Sequence, residues 1–286
     1  MTMTTAEAAD VARRCWRTLE PYHGMIYFVP EAAAEYEDVG VTGRSGYFGS
    51  RSAAMGAVGP LVVHATFFNF HPVVVERAMD GLWDRVGPEE VLAARHRAAD
   101  RALRRLLGDT ADDPAVRDAV ELVRPAVEAA RARPEGRPLF AGHARLPEPE
   151  QPHLALWWAV TLLREFRGDG HVAALTEAGL AGVEALVLHG ASGEVPAATL
   201  RTTRGWPEDQ WNTAVVDLVD RGLVERAEGA GALRLSDDGA RLRAGIEQRT
   251  DELAAPAWQA ISVEEASRLR ATVRPWSKVI AAGMSG

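Results

Sequence analysis

A single cysteine, Cys15, stands in 286 residues. That excludes an intramolecular disulfide and leaves no thiolate cluster for a metal, so a reducing cytoplasm is the expected home. Cys15 itself reads as a small buried apolar residue rather than a nucleophile. Lysine is almost absent, and acids outnumber bases for a formal net charge of -8. A chain of that sign disfavours nucleic acid or an anionic membrane as principal partner. No stretch approaches ~20 uninterrupted apolar residues, and the opening MTMTTAEAADVARR carries acids and lacks the apolar centre of a signal peptide. The expectation is a protein neither exported nor membrane-spanning. No GxSxG, P-loop, HExxH or GxGxxG in a strand-helix-strand context occurs, so hydrolase, nucleotide, zinc-protease and dinucleotide readings have no foothold.

What the sequence does contain is helical periodicity. Apolar residues recur at three- and four-residue spacing over Ala6 to Leu19, Pro30 to Tyr36, Val62 to Phe68, Pro72 to Asp84, Pro88 to Leu107 and Pro114 to Ala132. Strand candidates are few and short. The stretch RPEGRPLFAGHARLPEPEQP suggests a linker over 133–152, between a helical domain at 1–132 and a second domain at 153–286 that opens with a helix from Leu154 to Arg167. The halves share an outline. His71-Pro72 and Trp206-Pro207-Glu208 each start a helix, ending at Trp83 and near Arg221, and each is followed by a long helix, opened by Gly87-Pro88-Glu89-Glu90 and by Ser236-Asp237-Asp238. The outline is that of a degenerate duplication in which the first copy has lost its wing. The expected fold is mainly α with a small β wing, two winged-helix-derived halves forming an intramolecular pseudo-dimer.

Residues 195–258 follow the order helix, turn, helix, short hairpin, long helix. Leu218-Val219-Asp220-Arg221-Gly222-Leu223-Val224 and then Leu235-Ser236-Asp237-Asp238-Gly239-Ala240 resemble the MarR-type winged-helix regulators. Gly46-Tyr47-Phe48 through Phe70, and Leu163-Arg164-Glu165-Phe166-Arg167-Gly168-Asp169-Gly170-His171, resemble a broader bacterial helix-turn-helix family over nearly the full length. Both resemblances imply a fold. The departures bear on function: the helix that would enter a groove begins Trp206-Pro207-Glu208-Asp209-Gln210-Trp211, with carboxylates ahead of Gln210, Asn212 and Thr213. The hairpin Glu225-Arg226-Ala227-Glu228-Gly229-Ala230-Gly231-Ala232 carries one Arg against two Glu and offers no cation at its tip for a minor groove. Arg201 and Arg204 are the compensating cations nearby.

The stretch from Tyr47 to Pro72 combines small residues with Phe67, Phe68 and Phe70, a surface that suits a flat apolar ligand as well as a packed core. On a helix from Val62, His64 shares a face with Phe68, and Phe67 pairs with His71. The ligand reading puts a haem or another flat aromatic cofactor on His64 or His71, the metal-ligand candidates, with Arg51 pairing an acidic group. In Gly168-Asp169-Gly170-His171 the glycines are expected to turn the chain and Asp169 to cap the next helix, so that His171, the candidate catalytic base, projects from a first helical turn. The leading functional reading is a cytoplasmic protein that holds an apolar or aromatic small molecule in a cavity between its halves. That cavity would be lined by Tyr47, Arg51, Met55, His64, Phe67, Phe68, His71, Trp157 and His171. In the resemblance to MarR-type proteins, the pocket lies between the dimerisation region and the winged helix. The alternatives are a MarR-type regulator that reads an operator, and a haem- or metal-dependent enzyme of small-molecule biosynthesis built on the same cavity. A monomer is expected, or a homodimer through the first half.

Overall fold

The computed structural model describes residues 3–227 and 231–284. In chain order its helices are α1 Thr5–Gly24, α2 Pro30–Asp38, α3 Gly43–Ser52, α4 Pro60–Phe67, α5 Pro72–Met79, α6 Leu82–Arg85, α7 Pro88–Leu107, α8 Pro114–Arg131, α9 Pro138–Ala144, α10 Pro152–Glu177, α11 Gly182–Ala191, α12 Ala197–Arg204, α13 Glu208–Asp220, α14 Asp237–Trp258 and α15 Val263–Gly283. The strands β1 Val224–Arg226 and β2 Leu233–Leu235 pair antiparallel, Glu225 opposite Arg234. The fold is therefore mainly α with a small β hairpin, as the periodicity predicts.

Local chemistry sets the helix ends. Thr4 and Glu7 form a reciprocal capping box at the start of α1, and Ser262 and Glu265 do the same for α15. Proline occupies the first turn of α2, α4, α5, α7, α8 and α9, where its missing N–H costs nothing. Pro88–Leu107 matches its predicted bounds to the residue, because Pro88 opens α7 and Gly108, at φ 56°, closes it.

Contacts divide the chain into two compact units, neither of them continuous. Unit 1 takes the residues up to Val58, Gly81–Gly170 and those from Asp251 on; unit 2 takes Gly59–Asp80 and His171–Thr250. In unit 1, α1 packs along α15, α2 and α3 along α7, and α8 against α15. Its fully buried large side chains include Tyr22, Phe48, Leu103, Phe140, Leu156 and Phe166. Asp251 ties α1 to α10, accepting from Arg13 Nε at 2.5 Å and Arg167 Nη2 at 2.7 Å. In unit 2, α4 packs on α5, and α11 packs on α12, α13 and β2.

The units do not part within 133–152. That stretch contains α9, whose Phe140 is fully buried in unit 1 against Phe166, so it is core and not linker. The helix expected over Pro72 to Asp84 breaks at Asp80-Gly81, where Gly81 takes φ 56°, and α6 follows as a separate turn. The helix over Val62 to Phe68 ends one residue early. Phe68 holds φ 42°, the one non-glycine in the left-handed region among the described residues, so His64 and Phe68 do not share a helical face and His71 opens the next helix. Gly168-Asp169-Gly170-His171 makes no turn, because α10 runs straight through it. A Cβ on Gly170 would stand 2.9 Å from Arg137 Nη1 and 3.3 Å from Leu253 Cβ, so this glycine provides clearance for a neighbouring chain rather than freedom to bend.

Candidate functional site

Among the described residues, unit 1 has a cavity of about 470 Å³ beside α2 and α3. Ile26, Val29, Ala32 and Val41 give it apolar walls, and Tyr27, Tyr47 and Ser50 give it hydroxyls. The sequence places these groups simply. α3 carries Tyr47, Ser50 and Arg51 at spacings of three and four, and a 3-10 turn after α1 presents Tyr27. The Tyr27 and Tyr47 rings lie 5.4 Å apart.

Behind these hydroxyls lies a buried charged cluster. Arg51 is 4 % exposed. It donates from Nη1 to Tyr47 Oη at 2.8 Å and from Nη2 to both oxygens of Glu165 at 2.9 and 3.1 Å. Arg164 Nη1 donates to the same carboxylate at 2.9 Å, and its Nε lies 3.5 Å from Glu20. Burial alone would raise the Glu165 carboxyl, but Arg51 and Arg164 hold it well below the usual carboxylate range. His23, bonded to Thr161 through Nδ1 at 3.0 Å and to Tyr27 Oη through Nε2 at 2.7 Å, is pushed well below its ordinary value by burial and then by Arg164, and is neutral at pH 7. Arg95, on α7, is 2 % exposed. Its Nη1 reaches Ser50 Oγ at 3.4 Å, while its Nε and Nη2 have no hydrogen-bond partner among the described residues.

In unit 2 the helix-turn-helix is α12, Gly205 and α13. Gly205 takes φ 75°, which a side-chain-bearing residue would adopt only under strain. Trp206 is a clamp. Its Nε1 donates to Asn69 O at 2.8 Å and its ring meets His71 edge-on at 4.9 Å, while His71 N donates to Arg204 O at 3.0 Å. At the head of α14, Ser236 Oγ accepts from Gly239 N at 3.0 Å and donates to Gly222 O at 2.6 Å. A Cβ on Gly239 would stand 1.9 Å from Leu223 O, which explains why glycine follows Asp237-Asp238. The probe face matches its sequence. Glu208, Asp209, Gln210, Asn212 and Thr213 are exposed, Arg201 lies 3.9 Å from Glu208, and the Arg204 guanidinium stands 4.9 Å over Phe70. In the hairpin, Arg234 pairs across the strands with Glu225, and the tip residues Glu228, Gly229 and Ala230 lie outside the described residues.

The residues expected to line one cavity fall into both units. Tyr47, Arg51, Met55 and Trp157 belong to unit 1, and His64, Phe67, Phe68, His71 and His171 to unit 2. Of these, Tyr47 lines the cavity, Arg51 braces it from behind, Met55 touches Gly142 and Trp157 faces Arg95 at 5.2 Å. Arg51, expected to pair a ligand's acidic group, has an internal carboxylate in Glu165. His71 caps α5, its Nδ1 accepting from Val73 N at 3.3 Å, and Phe67 is core. His71 lowers the His64 imidazole only after burial does. His171 sits mid-helix, its Nδ1 2.9 Å from Thr250 Oγ1, and not in a first turn. Among the described residues no group of three or more His, Cys, Asp or Glu is placed to hold a metal ion, and no single helix is long and apolar enough to cross a membrane.

Sequence reasoning missed Ser50, Arg95 and the Glu165 pairing. Arg95 carried a signal, since it occupies a core position of α7 between Val91, Ala94, Ala98 and Ala99, where helical spacing calls for an apolar side chain.

The model of a family described as a helix-turn-helix family matches residues 12–285. No curated protein and no solved structure matches the chain.

Proposed function

The chain belongs to a helix-turn-helix family, and we propose that it works as a small-molecule-binding protein whose unit 1 cavity takes an apolar or aromatic ligand, while its helix-turn-helix does not grip duplex DNA. The observation that carries this reading is the cavity, whose 470 Å³ lies in the range of drug-sized ligand sites and is walled by apolar side chains with a few hydroxyls. The charge of the other unit supports the second half of the reading. Unit 2 holds nine arginines against fourteen carboxylates, and Arg201 and Arg204, ahead of the probe helix, face Glu208 and Phe70. Phosphate neutralisation supplies most of the affinity for DNA, and here the supply is short.

A second reading, operator binding by α13, is favoured by the helix-turn-helix order itself. The MarR-like subtype belongs with it, and the Leu223–Gly239 fit at the head of α14 supports that subtype. The parallel order of α5 then α7, and α13 then α14, supports a duplication and with it the pseudo-dimer. A catalytic role for His171, half-buried with its Nδ1 2.9 Å from Thr250 Oγ1, is the third reading.

Two measurements separate the readings. The neutral fluorophore N-phenyl-1-naphthylamine is expected to bind with enhanced emission and to lose its site in Ala33→Trp, which fills the cavity from an exposed wall position. Duplex DNA is expected to show no retardation at 50 mM salt. Retention of DNA that weakens steeply as salt rises, with no fluorophore binding, would replace the cavity reading with the operator reading.

A further inference from the structure

The charge on the wall of the unit 1 cavity is negative. Among the described residues lining it, Glu37 is the one carboxylate, and no Lys, Arg or His accompanies it. Its neighbours on α2 are already engaged, Glu31 by Arg105, and Glu35 by Arg97 and Arg101. Glu37 is exposed and has no ion-pair partner among the described residues. It stands in the last turn of α2, the end at which a helix concentrates negative potential, so the backbone and the carboxylate attract the same partner, a cation.

The rings around the cavity divide it into two sides. Phe28, also in the lining, is 68 % exposed, which leaves its face open to a cation at the cavity's edge. On the side formed by Tyr27 and Tyr47 the Arg51 guanidinium lies 5.3 and 5.4 Å over the two rings. Those rings already have their cation, and like charge keeps a second one away.

We infer that the cavity is a receptor for an organic ammonium with a flat apolar body, the body lying against Val29, Ala32 and Tyr47 and the ammonium held at the edge by Glu37 and the Phe28 ring. The inference rests on the cavity reading above and adds the ligand's charge and orientation. At the edge the ammonium keeps part of its hydration, so a single exposed carboxylate suffices, whereas a charge taken wholly inside would need a full set of partners.

The test uses the intact protein loaded with N-phenyl-1-naphthylamine at pH 7 and displaced by 2-naphthylmethylamine, a cation, by the uncharged 2-naphthylmethanol, or by 2-naphthoate. The amine is expected to displace the fluorophore at concentrations about fivefold lower than the alcohol, and naphthoate to be the weakest of the three. The preference for the amine shrinks in about 0.5 M salt, which screens an exposed pair. In Glu37→Gln the amine and the alcohol become equal, while Glu37→Asp, which keeps the charge on a shorter stem, retains part of the preference. Phe28→Leu, which keeps an apolar side chain without the ring, weakens the amine more than the alcohol. Equal displacement by amine and alcohol in the parent protein, a preference for naphthoate, or a preference for the amine that survives Glu37→Gln overturns the ammonium inference and leaves the cavity reading intact. No binding of the fluorophore to the parent protein would remove the cavity reading itself.

Discussion

Gly239 and Asp169 illustrate what single residues decide here. Gly239 stands where its α-hydrogen faces Leu223 O, and a methyl group there meets a backbone atom that has no means of yielding. Gly239→Ala is expected to destabilise by about 3 kcal/mol or more and to perturb the head of α14, as measured by denaturant unfolding. Asp169 accepts from Phe140 N at 2.9 Å, yet burial, followed by the opposing effect of that hydrogen bond, leaves its carboxyl raised to about 7. A carboxyl that holds its proton more tightly folded than unfolded stabilises the fold at low pH. Stability is therefore lost as pH rises from about 4 to about 7 and is level above that, a change on the order of 4 kcal/mol for this group alone. Asp169→Asn keeps a carbonyl for Phe140 N and carries no charge, so its stability should exceed that of the parent protein at pH 8 and converge with it near pH 4. Identical pH profiles for the two proteins would contradict the assignment. The Ser236 cap was legible because a hydroxyl followed by two acids before a helix has one common use, whereas Asp169 was read as a cap because its flanking glycines resembled punctuation.

At the scale of the element, the instructive error is α10. Two glycines two apart in a sequence of this kind argue for a turn, and the helix ignores them. Propensity is a local preference worth up to about 1 kcal/mol per glycine, and it yields to packing along the rest of a long buried helix. The two positions separate the effects. At Gly168 a new Cβ would make ordinary contacts at 3.5 Å with Glu165 Oε2 and 3.7 Å with Arg164 Nη1, so Gly168→Ala should stabilise by about 0.5 to 1 kcal/mol. At Gly170 the same methyl would press on Arg137, which holds the carbonyls of Phe166 and Leu253, so Gly170→Ala should destabilise despite its better helix propensity. Thermal unfolding of the pair checks the opposite signs. Helices whose ends carry proline, a capping hydroxyl or glycine, such as α2, α7, α8 and α13, were readable from sequence. α3, rich in glycine and serine, and α9, flanked by prolines, were not, because tertiary burial forms them against their composition.

For the whole molecule, helical class and a β hairpin followed from periodicity and turn chemistry, but the partition did not. A Pro- and Gly-rich stretch invites a boundary, and nothing local reveals that Phe140 inside it is core. The site was half legible for a related reason. Tyr47 and Arg51 stand on one helical stripe and were found together, while Arg95 and Glu165 reach them from sequence distances that no pattern encodes. Light scattering after size exclusion decides between the two expected states, a mass near 30.9 kDa for the monomer and near twice that for the homodimer, and a larger mass would contradict both.

The interleaving of the two compact units has a practical corollary for anyone wishing to isolate one of them. Because each is assembled from separate stretches of chain, a truncation at any single point inside 59–250 divides both, and a fragment ending near residue 150 should emerge as an aggregation-prone stump rather than a working module. Excising 171–250 together with 59–80, each gap closed by a short flexible bridge, is the dissection that respects how the polypeptide is threaded.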